Sequence, residues 1–409
     1  MEKIKNTSVP VLILGVQNDH GVDIARSLGR WGVDVHGIGS NPRSPSLASR
    51  YLQQTFQWDI AQHSNSDSVS FLCDVAEKLG GRPLLVPTFD DGVIFVARNA
   101  AALKVHFLFP EQSLETVTTF CNKQELFHLA KKLGAPTAES MFPLCEEDVR
   151  RFIEQARFPV LLKGIDGARL ERRCGLKKIL LWDSDELLRR YREVEDPSSP
   201  NLMLQEYIPG GEEAMWLFNG YFDEHSRCWA AFTGRKLRQA PIDTGSGSFC
   251  ECVWNQDIAD LAIALAEEMG YAGILDIDYR YDSRDGTYKL LDPNPRVGEI
   301  YRLFVSAEGL DVVQMFYLHM TGQPLPDSTQ QEGRTWVSED KDLIAAILYR
   351  LKGRLRLRDW LRSIRGVNEK RWIVRDDLRP CLHVALRLAS VLIGGVLKRL
   401  GLRRNRATE

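Results

Sequence analysis

The most informative segment of this 409-residue chain is Asp276-Ile-Asp-Tyr-Arg-Tyr-Asp-Ser-Arg-Asp-Gly-Thr-Tyr-Lys-Leu-Leu-Asp-Pro-Asn-Pro-Arg296. Its two halves are separated by Asp285-Gly286, a dipeptide that is typical of a tight hairpin turn. We therefore predict two antiparallel strands that pair with each other across this turn.

Oxygen-bearing side chains follow one face of the predicted hairpin. Because side chains two positions apart share a face of a strand, Asp276 and Asp278 point the same way. Asp292 and Asn294 form a matching pair near the end of the second strand. Carboxylate and amide oxygens suit Mg²⁺, which also takes phosphate oxygens as ligands. A solvated hairpin with turn-forming Asp residues is the alternative interpretation.

Two lysines lie on separate elements upstream of the hairpin. Lys163 ends an otherwise apolar strand, where an ammonium group needs an anion or water. Lys123 falls in the first turn of a helix that Gly134 closes, and the helix dipole disfavours a cation there. Each alone is compatible with a surface lysine, whereas together with the hairpin they resemble phosphate ligands.

A third feature is the segment 205–213, Gln-Glu-Tyr-Ile-Pro-Gly-Gly-Glu-Glu, which follows a short apolar strand. Backbone N–H and C=O groups after such a strand can pair with the edge of an adenine. A carboxylate a few residues later can accept hydrogen bonds from ribose hydroxyls. A plain acidic turn is the alternative interpretation.

The N-terminal third alternates between strands and helices. Residues 9–39 read as strand, helix, strand, and Pro83–Pro87 reads as a further buried strand. This alternation predicts a doubly wound α/β domain. The first turn, Gly15–Gly21, does not match G-x-G-x-x-G, so a dinucleotide site is disfavoured. Asp90 and Asp91 follow the Pro83–Pro87 strand, where they either bind a substrate ammonium or cap a helix.

The order of these features resembles that in the ATP-grasp superfamily, over about residues 122–310. Within it, the chain is most similar to carboxylate–amine ligases of the D-aspartate ligase type, and more distantly to D-alanine–D-alanine ligase and biotin carboxylase. The resemblance implies an α/β N-terminal domain of the doubly wound, pre-ATP-grasp type, then an α+β ATP-grasp domain and a helical C-terminal extension. We place these at residues 1–117, at 118–325 (a central lobe at 118–200 and a C-terminal lobe at 201–325) and at 326–409.

The resemblance also implies roles for individual residues. The implied ATP-binding residues are Lys123, Lys163, Lys178, Glu206, Tyr207, Ile208 and Glu213. The implied metal ligands are Asp278, Asp292 and Asn294, and the residues implied to act on phosphate and the acyl substrate are Lys236, Arg238 and Arg296. Lys177 is an alternative to Lys178. The chain departs from the family pattern at Asp292, where Glu is commoner, and at residues 165–174, an expected flexible lid that carries three arginines.

The implied activity is an ATP- and Mg²⁺-dependent ligation, with Mn²⁺ as an alternative metal. A substrate carboxylate would become an acyl phosphate, and an amine would then displace phosphate to give an amide, with ADP released. The substrates would be small carboxylates and amines, amino acids among them. A biotin-carboxylase-like carboxylase and a non-catalytic ATP-binding module stay open as alternatives. The chain offers no compelling catalytic base.

Composition and charge indicate which partners and which cellular compartment we expect for this chain. The formal net charge is −2, which does not indicate a nucleic-acid partner. Eight dispersed cysteines and the lack of a signal-peptide pattern predict a cytoplasmic protein. Residues 350–409 hold 17 Lys/Arg and 5 Asp/Glu, so a basic C-terminal helix either docks on the core, which we favour, or contacts the inner face of a membrane peripherally. A homodimer is one open oligomeric state.

Overall fold

A computed structural model describes residues 6–176, 178–326 and 328–399. The N-terminal region is the predicted doubly wound layer, a parallel sheet of four strands in the order β3-β2-β1-β4. Strand β3 is the one that the sequence pattern did not predict. The elements are β1 (Val11–Leu14), α1 (Asp19–Gly29), β2 (Val35–Gly39), β3 (Leu52–Gln57), α2 (Asn65–Leu79), β4 (Leu84–Pro87), α3 (Asp90–Arg98) and α4 (Ala100–Leu103).

The next region is a small lobe built on a four-stranded antiparallel sheet in the order β5-β8-β6-β7. Its last strand in the chain, β8, lies wholly after residue 200, where we placed the boundary between the two lobes. The elements are α5 (Leu114–Cys121), α6 (Lys123–Leu133), β5 (Ser140–Met141), α7 (Glu146–Gln155), β6 (Val160–Gly164), α8 (Gly167–Cys174), β7 (Lys178–Leu181), α9 (Ser184–Val194) and β8 (Leu202–Glu206).

Helix α6 shows how local sequence fixes the start of this lobe. The Asn122 side chain accepts hydrogen bonds from the backbone N–H groups of Gln124 and Glu125, which would otherwise lack partners. Gly134 ends the helix in the left-handed conformation (φ 68°) that suits glycine. Lys123 is therefore the first helical residue, as predicted.

The largest sheet has seven strands in the order β13-β12-β9-β10-β11-β14-β15. The quoted segment forms its edge hairpin, β12 and β13, with the turn where we predicted it. Helix α11 packs under this sheet and against the N-terminal domain, where the Tyr317 hydroxyl donates to the Val9 carbonyl. The elements are β9 (Met215–Phe222), β10 (Cys228–Ala240), β11 (Ser246–Cys252), α10 (Gln256–Glu268), β12 (Gly273–Asp282), β13 (Thr287–Asn294) and α11 (Val312–Met320).

The C-terminal segment, expected to be mainly helical, also completes the large sheet. Strand β14 pairs with β11, and β15 pairs with β14. Val384 of the final helix is buried beside Val22 and Trp372, so this helix docks on the N-terminal domain. The elements are β14 (Thr335–Val337), α12 (Glu339–Leu351), α13 (Leu357–Ser363), β15 (Glu369–Lys370) and α14 (Arg379–Arg399).

Among the helices of the described ranges, none combines the length and apolar composition needed to span a bilayer. The basic residues at 403, 404 and 406, part of the predicted membrane contact, lie outside the described residues.

Candidate functional site

A cleft of about 560 Å³ lies between the small lobe and the large sheet, a size that is typical of small-molecule sites. It gathers side chains from β6, β7, β8, β10, β12 and β13 although these strands lie far apart in sequence. The predicted residues that line it are Lys123, Lys163, Lys178, Glu206, Tyr207, Ile208, Lys236, Asp278, Asp292, Asn294 and Arg296.

The hairpin register brings the predicted metal ligands together. Asp278 lies directly opposite Asp292, and Asp276 lies opposite Asn294. In the described ranges, no three His, Cys, Asp or Glu side chains converge into a metal-binding group. The predicted donor set is two carboxylates and one amide oxygen. This set fits Mg²⁺, which usually binds one or two protein carboxylates and completes its shell with phosphate oxygens and water.

Lys236 closes one side of this donor set. Its buried ammonium lies 2.7 Å from Oδ2 of Asp278. Burial by itself lowers the pKa of Lys236, but the Asp278 carboxylate outweighs it, and the net pKa is raised. Lys236 therefore stays protonated beside the predicted metal ligands.

Three lysines face one another across the cleft from the carboxylates. Lys163 and Lys178 are register partners on β6 and β7, and Lys123 reaches the Ile165 carbonyl from α6. Loss of solvent and the neighbouring charge of Lys178 lower the pKa of Lys163 to about 7. Desolvation and the charge of Lys236 lower the pKa of Lys178 as well. Crowded cations of this kind favour a polyanionic ligand.

Gln205 positions Lys163, a role that no sequence motif indicates. Its Oε1 accepts a 2.6 Å hydrogen bond from the Lys163 ammonium, while its Nε2 donates to the Ser140 hydroxyl. This bond fixes the direction of the lysine without neutralising its charge. The charge therefore stays available to a ligand.

The predicted adenine-binding segment is held by two arginines that the sequence analysis also missed. Arg280 donates to the Ile208 carbonyl at 2.8 Å and to the Gly210 carbonyl at 2.6 Å, and it lies over the Tyr207 ring. Arg284 donates to the Glu206 carboxylate at 2.7 Å. Both arginines belong to the hairpin, so the element that carries the predicted metal ligands also holds this segment.

Arg296 lies between the hairpin and the N-terminal domain. Its guanidinium donates to Asn294 Oδ1 at 2.8 Å and to Asp90 Oδ1 at 2.7 Å. Asp90 therefore pairs with this arginine instead of standing free for a substrate ammonium. It also begins α3, so its negative charge is favourable at the positive end of the helix dipole.

A buried ion network closes the far end of the cleft, and C-terminal residues build it. Glu299, on the cleft wall, accepts a 2.7 Å bond from Arg371 and also contacts Lys341. Arg371 lies 3.3 Å from Asp23 and over the Trp336 ring. Burial alone would raise the pKa of Glu299, but Lys341 and Arg371 hold it well below its ordinary value.

Arg238 does not reach the cleft, contrary to our prediction. Its guanidinium makes two hydrogen bonds to Asp342 of α12, at 2.8 and 2.9 Å, and it is buried over the Phe249 ring. The β10 segment turns Lys236 toward the cleft and Arg238 toward the C-terminal segment because the strand is irregular between these two residues. The register shift could not be read from the basic sequence around them.

Glu213 is the second predicted residue that lies outside the cleft. It falls in a short 3-10 helix at Glu212–Ala214, and its carboxylate accepts a bond from the Gly211 N–H. It borders a smaller neighbouring pocket formed with Trp216 and Tyr288. The predicted ribose contact is therefore not supported by this arrangement.

The segment expected to be a flexible lid contains a helix. Asp166 caps α8, and Gly175 ends it. Two of its arginines face away from the cleft, because Arg169 contacts Asp196 and Arg173 donates to the Glu195 carbonyl. Gly167 and Gly175 line the cleft. The alternative to Lys178, residue 177, lies outside the described residues.

The fold and the cleft together define a protein with the ATP-grasp fold. No family model matches the chain. Its sequence is 25% identical to D-aspartate ligase of Enterococcus faecium over 242 residues, which are 56% of this chain and 57% of the relative. It is 22% identical over 351 residues to the C-terminal section of the carbamoyl phosphate synthase large chain of Methanopyrus kandleri, covering 76% of this chain and 62% of the relative. The chain thus spans about three-fifths of the length of these relatives.

Solved structures agree on the fold. The N5-carboxyaminoimidazole synthetase of Staphylococcus aureus, complexed with ADP, superposes with a TM-score of 0.63 at 13% identity, covering 86% of this chain and 88% of that one. The L-amino acid ligase of Bacillus licheniformis gives 0.60 at 14% identity, with 81% and 79% covered. These comparisons confirm the predicted resemblance to ATP-grasp ligases.

Proposed function

We propose that this protein is an ATP- and Mg²⁺-dependent carboxylate–amine ligase that forms an amide bond and releases ADP and phosphate. One observation carries the proposal. Three closely spaced lysines face two carboxylates and an amide side chain inside a single cleft. Residues 205–208 of the predicted adenine-binding segment line the same cleft. Similarity to D-aspartate ligase supports the same reaction class.

The proposed reaction has two balanced steps. In the first, a substrate carboxylate oxygen attacks the γ-phosphorus of ATP, the bond to the β-phosphate oxygen breaks, and ADP leaves. In the second, an amine nitrogen attacks the acyl carbon, phosphate departs with the bonding electrons, and the nitrogen loses a proton to phosphate or water. Positioning and charge neutralisation, not a protein nucleophile, are what such phosphoryl transfer demands.

The role that we propose for each residue in this reaction follows from its position in the cleft. Lys163, Lys178 and Lys123 would bind phosphate oxygens, and Lys236 and Arg296 would stabilise the charge that develops at the transferring phosphoryl and acyl groups. Mg²⁺ held by Asp278, Asp292 and Asn294 would neutralise further phosphate charge. Exclusion of water by the small lobe would protect the acyl phosphate from hydrolysis.

The substrates we propose are a small carboxylic acid and a small amine, with amino acids as the first class to test. The charged walls of the cleft support polar, ionised substrates. Biotin carboxylases are among the solved structures that share this fold, one of them with ADP and bicarbonate bound, so a bicarbonate-dependent reaction is the competing outcome of the test.

The test is ADP release by the full-length protein over a panel of amino acids, with and without bicarbonate. We expect release that needs an acid and an amine together. Asp292→Asn should abolish it, whereas Asp285→Asn, a carboxylate at the turn of the same hairpin, should not. ADP release that depends on bicarbonate alone would replace the ligase by a carboxylase, and ATP binding without turnover under every condition would leave only a binding module.

A further inference from the structure

An exposed apolar surface lies on the C-terminal segment, away from the cleft. We call it the α12–α13 face. Leu351 is 78% exposed and Ile347 is 54% exposed, values that are high for such side chains in a folded protein. The apolar residues that form the face are Leu343, Ile344, Ile347, Leu348, Leu351, Leu357 and Leu361.

These side chains are presented outward by a firmly anchored helix. The opposite side of α12 is buried, with Asp342 bonded to Arg238 and with Tyr349 packed under the β10 end. At 100° per residue, the exposed residues of α12 fall within an arc of about 140° around its axis. Within the described ranges, each of these side chains is at least 37% exposed.

Basic residues flank the face on both sides. Arg350 of α12 and Lys352, the residue that follows this helix, fall at the two margins of the apolar arc, and on α13 the pair Leu357 and Leu361 is bordered by arginines. Residues 350–365 hold seven Lys/Arg and one acidic residue. Asp243 and Asp359 pair with some of these cations, but the margin of the face stays strongly positive.

We propose that the α12–α13 face binds the surface of an anionic lipid bilayer. An apolar stripe between basic margins matches a surface with anionic headgroups outside and acyl chains beneath, so that leucine and isoleucine enter the acyl boundary while arginine meets phosphate. A second copy of the chain is a poorer occupant because a two-fold contact would set the basic margins against each other. The α12–α13 face is a different surface from the basic C-terminal helix, for which the sequence left a membrane contact open.

The experiment is co-sedimentation of the full-length protein with vesicles. One set is phosphatidylcholine alone, and the other mixes phosphatidylcholine and phosphatidylglycerol three to one. We expect the protein to pellet with the anionic vesicles only, and to release as salt is raised. Ile347→Glu and Leu351→Glu should each lower the bound fraction by about tenfold or more, since a carboxylate enters the interface and repels the headgroups.

Val105→Glu is the matched control because Val105 is 67% exposed on the N-terminal domain and the substitution adds the same charge. It should pellet like the unmodified protein. Circular dichroism verifies that each variant is folded. Binding by Ile347→Glu and Leu351→Glu equal to that of the unmodified protein would overturn the proposal and move any membrane contact elsewhere. Absence of binding to both vesicle types would also overturn it, and a dimer that either variant converts to monomer would assign the face to a second copy.

Discussion

The two ends of the cleft use charge in opposite ways. At the end beside Gln205, Lys163, Lys178 and Lys123 crowd together, and the pKa of Lys163 falls to about 7. At the far end, Glu299 is fully matched by Lys341 and Arg371. The three lysines repel one another until an anion binds, whereas the charges around Glu299 are balanced without a ligand.

This difference distinguishes residues that bind a ligand from residues that stabilise the fold. Unmatched like charges in a cleft cost folding free energy and are typical of functional sites. Removal of one partner from a buried ion pair lowers the stability of the fold strongly, because the other charge is left without compensation. Substitutions at the two ends should therefore have opposite signatures in stability and activity.

Loss of Arg371 should give the largest effect on folding. Arg371→Met leaves Glu299 and Asp23 without their shared cation. We expect the free energy of unfolding to fall by about 3–5 kcal/mol. Urea denaturation at neutral pH measures it, with the exposed Arg375→Met as the control from the same segment. A loss below about 1 kcal/mol would mean that the far end is not structural.

Lys163→Met should show the reverse signature. The variant removes a phosphate-facing cation, so we expect ADP formation to fall about 10²–10³-fold. Stability should change by less than about 1 kcal/mol, because relief of repulsion from Lys178 offsets the lost bond to Gln205. Steady-state kinetics and denaturation of the same preparation test both parts, with Lys104→Met as the surface control. Full activity would remove Lys163 from the site.

Arg280→Gln sharpens the comparison at the predicted adenine-binding segment, residues 205–213. It removes the bonds to the Ile208 and Gly210 carbonyls, which orient the segment expected to meet adenine. We expect ATP affinity to weaken by about tenfold, in line with the loss of charge-assisted hydrogen bonds. Titration calorimetry with ATP measures this, and Arg98→Gln on the N-terminal domain should bind ATP normally. An unchanged Kd would contradict the role of Arg280 in orienting this segment for ATP.

The smallest expected effect is a pH dependence of ATP binding. Lys163 with a pKa of about 7 is half protonated at neutral pH in the free protein, and only the charged form attracts phosphate. Binding should raise this pKa, so affinity is greatest below pH about 6 and falls about tenfold by pH about 8. Binding isotherms across that range measure it. Lys163→Arg, which stays charged, should flatten the profile, and an equally steep profile in this variant would assign the proton elsewhere.

Local sequence was enough to predict those features of the candidate site that depend on strand alternation and helix capping. The Asp285-Gly286 dipeptide predicted the turn, and the two-residue spacing placed Asp276 with Asp278, and Asp292 with Asn294, on one face of their strands. The cap at Asn122 and the stop at Gly134 fixed Lys123 in the same way. These features depend on neighbours within a few residues, which is why the pattern could predict them.

The sequence by itself determined the order of the elements, the hairpin with its oxygen ligands, and the cationic residues of the small lobe. Tertiary structure alone decided that Arg238 binds Asp342, 104 residues away, and that Arg371 reaches Glu299, 72 residues away. It also turned Glu213 out of the cleft and brought the C-terminal strands into the large sheet. The physical reason is that a charged side chain pairs with whatever counter-charge packing brings near it, and no local pattern specifies that partner.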